Sequence, residues 1–186
     1  MNISEISLRV KRFAIFLAIL ILLILSLAWF LGAFKRVDLK MDQQPEIIMA
    51  GQWLHTSYRE ILDYTESQLF PMVNNDSPNV TGVCGLYFDN PKLVVADSLE
   101  AFVGVMLTDS SSIPEGLIYR RVLSGPALHG RFERSPIIGQ FKIYPAAGRW
   151  LEQRGMSVAG PVLEIYHRQE SHKWVDYYFP VEHHED

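Results

Sequence analysis

Two seven-residue stretches decide how this chain is read: Gly82-Val83-Cys84-Gly85-Leu86-Tyr87-Phe88 and Gly160-Pro161-Val162-Leu163-Glu164-Ile165-Tyr166, 78 residues apart. Both are apolar, rich in β-branched and aromatic residues, and opened by glycine, so each reads as a buried strand. Each follows a helical pattern and precedes another strand-like run. One order written twice implies two similar α+β halves, strand-helix-strand-strand in each. If a pseudo-two-fold relates them, the cleft between the halves is the natural place for a ligand.

Working outward, residues 46–108 form the first half. Glu46 to His55 reads as a strand, with Gly51 as a candidate bulge. Ser57 and Glu60 make a capping box. The helix it opens carries Tyr58, Ile61, Leu62, Thr65, Leu69 and Met72 at a 3.6-residue period. Asn74 to Pro78 breaks it. Val83 to Asp89 and Glu100 to Thr108 are strands, the first ended by an Asp89-Asn90-Pro91 turn. Residues 109–115 link to the second half, 116–182. There Leu117–Leu123 and Ala127–Glu133 are strand-like. Ser135-Pro136 caps a helix with Ile137, Ile138, Phe141, Tyr144, Ala147, Trp150 and Leu151 on one face. Pro145 should kink it. Val162–His167 and Asp176–Val181 are the last strands. The expected domain, 46–182, is preceded by a polar stalk, 35–45, and followed by a polar tail, 183–186.

Ahead of the stalk, and after a short tail at 1–12, residues 13–34 carry no charge. As a helix they would span about 33 Å, enough for a hydrocarbon core of roughly 30 Å. Trp29 and Phe30 suit the interface. The rival is a cleaved signal peptide, since Ser26-Leu27-Ala28 has the small-residue spacing of a cleavage site. The apolar run continues past Ala28, which favours an uncleaved anchor in the lipid bilayer. Basic residues balance on the two sides, so orientation stays open. Residues 1–40 carry +4 and residues 41–186 carry −8. An acidic main domain is a poor partner for nucleic acid.

Cys84 is the only cysteine, which excludes an internal disulfide and a cysteine zinc site. No phosphate loop, nucleophile elbow or HExxH appears, and no cofactor, metal or catalytic residue is expected. Glu164 is the odd residue. It sits mid-strand, with Val162 and Tyr166 on its face, and a carboxylate among apolar neighbours needs a partner. The repeat aligns it with Leu86. It awaits a cation or a reacting group, or it lies on an exposed face, or it pairs with Arg120, Arg121 or Arg131. Tyr119, Phe132, Trp150, Tyr166 and Tyr177 could wall the cleft, and aromatic faces suit planar or cationic ligands. Each of these is equally at home in a core. His129 and His167 read as ordinary strand histidines.

The stretch Phe141 to Gly155, then 160–166, then Tyr177-Tyr178-Phe179-Pro180-Val181 resembles the GyrI-like, or effector-binding, domain family. The Leu86-to-Pro91 turn and the Tyr144-Pro145-Ala146 segment extend the likeness to its membrane-anchored branch, which includes an ER-phagy receptor with a long disordered tail. The resemblance implies the duplicated α+β fold. It also implies binding of a hydrophobic or cationic small molecule between the halves, with Glu164 as the anion. Some relatives are hydrolases, so a Glu-dependent hydrolase on this scaffold stays open, as does a protein-interaction role at the membrane. The tail that carries the receptor's interaction motif has no match here, and that role is not carried over.

Overall fold

A computed structural model of the chain describes residues 3–74, 79–90, 94, 98–170 and 172–183. The expected 183–186 tail and the expected break at Asn74–Pro78 fall largely outside them, as does Pro91 of the expected Asp89–Pro91 turn. The chain divides into two units, Met1–Arg36 and Val37–Asp186. In the first, α1 runs from Ile3 to Phe30. Lys11–Phe30 is long and apolar enough to cross a membrane, and none of it is buried. The helix stops four residues short of the expected Phe34. Gly32 takes φ 85°, its N–H bonds Trp29 O at 3.1 Å, and Ala33 N–H bonds Ala28 O at 2.9 Å. That is a Schellman cap, in which glycine tolerates the left-handed turn.

The second unit is one antiparallel sheet with helices on one face. In chain order its strands are β1 (Leu39–Gln44), β2 (Ile47–Thr56), β3 (Val80–Tyr87), β4 (Leu99–Leu107), β5 (Ile118–Val122), β6 (Gly125–Glu133), β7 (Met156–Val158), β8 (Val162–Gln169) and β9 (His172–His183). Across the sheet the order is β1-β6-β9-β8-β3-β4-β2-β5, with β7 paired to β9. This order is symmetric about the β8–β3 seam. The first half is β2-helix-β3-β4 and the second is β6-helix-β8-β9, as the repeat predicted. The edges are exchanged: β1 precedes the first half yet closes the second, and β5 precedes the second yet closes the first.

The stalk expected at 35–45 is therefore largely a strand. Leu39 to Gln44 pair with Gly130 to Gly125. Its polar sequence misled because an edge strand with exposed, charged positions looks like a linker. Gly51 is no bulge either. It keeps register with Gly104 and Ile118. A Cβ there would lie 2.4 Å from Val103 O, so glycine is required by close backbone approach.

Ser57 caps α2 (Tyr58–Tyr64) through the expected box with Glu60. The helix then widens into a π-turn, Thr65–Leu69, and resumes as α3, Phe70–Asn74. In the second half α4, Pro136–Glu152, is capped by Ser135 and runs unbroken through Pro145. Helix residues Tyr58, Ile61, Leu69, Ile143, Tyr144 and Leu151 bury against Val83, Val103, Leu128 and Val162 of the sheet. The other face carries a smaller cluster of Met49, Cys84, Leu86, Phe102, Leu163 and Ile165. Burial pushes the Cys84 thiol up to about 12, which leaves it unreactive.

The register corrects the repeat. Val83 pairs with Tyr166, Gly85 with Glu164 and Leu86 with Leu163. Leu86 and Glu164 therefore point to opposite faces and cannot be equivalents. A shift of one residue restores the match, setting Val83-Cys84-Gly85-Leu86-Tyr87 on Val162-Leu163-Glu164-Ile165-Tyr166. Side-chain alternation makes a one-residue slip exchange every face. The counterpart of Glu164 is Gly85, and the two face each other at the centre of the seam.

Candidate functional site

β8 alternation turns Val162, Glu164 and Tyr166 toward the helices. Glu164 has no exposed surface. Tyr58, at the start of α2, donates to its Oε2 at 2.7 Å. Tyr166 donates to the same oxygen at 2.9 Å, and Tyr144 of α4 donates to Oε1 at 2.8 Å. With its proton so engaged, the Tyr166 hydroxyl accepts from Tyr87 at 2.5 Å. One tyrosine from each helix and one from each central strand thus surround a single carboxylate. Gly85 makes room for this, since a Cβ there would stand 3.1 Å from the Tyr87 ring.

The alternatives of surface exposure and arginine pairing are both excluded for Glu164. Arg121 pairs with Glu46, Arg131 with Asp176, and Arg120 lies over aromatic rings. No cation pairs with Glu164 among the described residues. Burial pushes its carboxyl up, and the three tyrosine hydrogen bonds pull it back, leaving it at about 7. A buried carboxylate with three donors and no counter-ion is electrostatically incomplete. The Tyr177 hydroxyl, buried beside Tyr58, also lacks a well-formed hydrogen bond.

A cavity of about 580 Å³ opens next to this cluster. Tyr87, Phe88, Tyr144, Val162 and Phe179 line it, with Asp89 and the segment 158–161. Among the described residues its lining holds no Lys or Arg. Tyr144 connects it to Glu164 by one hydrogen bond, and Tyr87 connects through Tyr166.

The predicted aromatic wall is mostly elsewhere. Tyr166 bonds the carboxylate, and Tyr177 is its cross-strand neighbour on β9. Phe132 is buried in the core behind Gly139. Trp150 is half-buried under the Arg154 guanidinium at 3.8 Å. Tyr119 sits exposed on edge strand β5. None of the five lines the cavity. Sequence reasoning missed Tyr58, Tyr87 and Tyr144. Tyr58 and Tyr144 were visible only as members of apolar helix faces. Tyr87 could have been found from the repeat in its corrected alignment, where it matches Tyr166.

His129 and His167 serve Asp176 on the far face, with Nε2 atoms 2.9 and 3.0 Å from its oxygens. Burial raises that carboxyl, but hydrogen bonds from His129, His167 and Arg131 outweigh it and hold it well below the usual carboxylate range.

Comparison with known proteins agrees with this architecture. No curated protein sequence matches. Among solved structures, EcmrR in complex with DNA within EcmrR-RPo is similar at a TM-score of 0.62 and 15% identity, covering 97% of this chain and 69% of that one. The EcmrR C-terminal domain is similar at 0.59 and 17%, covering 79% and 98%. SAV2435 bound to tetraphenylphosphonium is similar at 0.51 and 12%, covering 78% and 94%. Identities this low establish the fold alone. The sequence pattern of the GyrI-like small molecule binding domain matches residues 40–182. With that match spanning most of the chain, and with the two-fold sheet and its helices in place, the chain belongs to the GyrI-like small molecule binding domain family.

Proposed function

We propose that this domain binds a hydrophobic cation in the cavity beside Glu164, and that α1 holds it at a lipid bilayer. The observation that carries the reading is the buried Glu164 carboxylate, which has three tyrosine donors and, among the described residues, no cation. An organic cation entering past Tyr144 would supply the missing charge, and the tyrosine faces would supply stacking. Asp89 in the lining favours the same sign of ligand. Tethering suits ligands that partition into membranes.

The test is thermal unfolding of the full chain in detergent with tetraphenylphosphonium, alongside Glu164→Gln. At 100 times the dissociation constant, stabilisation should be about 2.7 kcal/mol. A cation pairs with the ionised carboxylate, so affinity should rise with pH through about 7. From pH 6 to 8 the gain is about ten-fold. Glu164→Gln should lose most of the binding and its pH dependence. Equal shifts in both proteins would sink the ion-pair reading. A second reading, Glu-dependent hydrolysis, draws on the same carboxyl held near 7, where a general acid or base works best. Turnover of a bound ester or epoxide that Glu164→Gln abolishes would establish it.

A further inference from the structure

On the opposite face of the first half, three aromatic rings converge. Trp53 of β2 and Phe102 of β4 are cross-strand partners with ring centres 5.4 Å apart at 71°. Phe88, just past β3, sets its ring 5.0 Å from Trp53. The alternation that turns Tyr87 to the helices turns Phe88 to this face. The Arg120 guanidinium of β5 lies among them, 5.3 Å from Trp53, 5.3 Å from Phe88 and 5.4 Å from Phe102.

The backbone explains how it gets there. Arg120 pairs with Met49, and two residues further along β2 stands the Gly51–Gly104 pair. Neither glycine presents a side chain on this face. Arg120 can stretch from the Met49 row across bare backbone to the Trp53–Phe102 row. No carboxylate pairs with Arg120 among the described residues, whereas its neighbour Arg121 is bonded to Glu46 at 2.9 Å through Nε. Among the described residues Arg120 is thus held by these π faces. Trp53 is 41% exposed and Phe88 36%, so these two rings are open to solvent, while Phe102 is buried and forms the floor.

The geometry points to a second cation site, a Trp53–Phe88–Phe102 cage for a quaternary ammonium ion, which Arg120 fills as a built-in occupant. Three faces around one positive centre that pairs with no carboxylate among the described residues select diffuse and weakly hydrated cations over ammonium or metal ions. Arg120 is the competitor an external cation must displace, and its removal should open the cage. Glu164 lies on the other face of the sheet and touches none of these rings, although Phe88 also borders the cavity beside it.

Choline and its neutral isostere 3,3-dimethylbutan-1-ol separate charge from shape. Binding to the full chain in maltoside detergent is read from the ligand methyl protons by NMR. Arg120→Ala should bind choline at least ten-fold more tightly than the wild type, and should not bind the isostere. Adding Trp53→Ala should abolish this gain, and adding Glu164→Gln should leave it intact. Arg120→Gln, which keeps the stem that covers the rings, should show a smaller gain. Nanodiscs of phosphatidylcholine against phosphatidylglycerol tell a lipid head from a free solute: competition with choline in the first alone identifies the lipid source. A folded Arg120→Ala that gains no choline binding, or binds both probes equally, overturns the proposal. So does failure of both Arg120 variants to fold, since the guanidinium is then a structural fastening.

Discussion

The two halves share a strand order but not a chemistry. At the seam the first half places Gly85 and the second places Glu164, facing each other. Two carboxylates there would share one dry volume and repel, while two glycines would leave nothing to attract a ligand. One of each leaves a single buried carboxyl at the seam. The covering helices differ too. α4 is continuous, whereas its counterpart is broken by the π-turn at Thr65–Leu69. The shared strand order supplies the frame, and the difference between the halves supplies the buried carboxylate.

The largest effect should come from abolishing that difference. Gly85→Glu adds a second buried carboxyl and crowds Tyr87. It should cost roughly 3–5 kcal/mol at pH 8. The loss should shrink at pH 5, where protonation relieves the repulsion, as read by urea unfolding at the two pH values. An equal loss at both would mean that crowding, not charge, keeps glycine at the seam.

Removing the charge from the other side should have an opposite sign. Glu164 titrates at about 7 in the folded protein against an ordinary 4.5. The folded state therefore holds the proton more tightly. Stability is full below about 4.5 and falls as pH rises to about 7, by on the order of 3 kcal/mol. Glu164→Gln should flatten this curve and unfold at higher urea than the wild type at pH 8. A wild-type curve already flat from pH 4.5 to 7 would contradict the burial argument.

Tyr144→Phe should act more gently. It removes one donor to the ionised carboxylate, a loss of about 1.5 kcal/mol at pH 8 and less at pH 5. The Glu164 carboxyl should titrate higher, which infrared difference spectroscopy of its carbonyl stretch can follow. The cavity-facing side of the cluster would then be shown to tune the charge.

Much of the frame was legible beforehand because it rests on local signals. Ser57 with Glu60, and Ser135 before Pro136, mark helix starts wherever they occur. The period-2 and period-3.6 stripes marked most strands and both helical regions. Glu164 was legible for a similar reason, since a charge in an apolar strand violates a local rule. Its partners were not. Tyrosine in an apolar stripe reads the same whether its hydroxyl meets water or a carboxylate, so Tyr58 and Tyr144 were indistinguishable from core. Tyr119 and Trp150 failed from the opposite side, because aromatic character alone says nothing of which surface a residue reaches. The pairing of Leu86 with Glu164 failed by one residue, because glycine at both starts suggested an alignment that strand register does not support.

The exchange of edge strands has a consequence for synthesis. Leu39 leaves the ribosome 91 residues before its partner Gly130. At translation speeds of roughly 5–20 residues per second, β1 waits about 5–20 seconds with nothing to pair with. The first half runs without interruption from β2 to β5 and can finish on its own, but the second cannot, since its edge strand β1 lies beyond the whole first half in sequence. A strand that must wait in solution cannot afford to be sticky. Lys40, Asp42, Gln43 and Gln44, the residues that make β1 look like a linker, are what keep it from pairing with the wrong chain in the meantime.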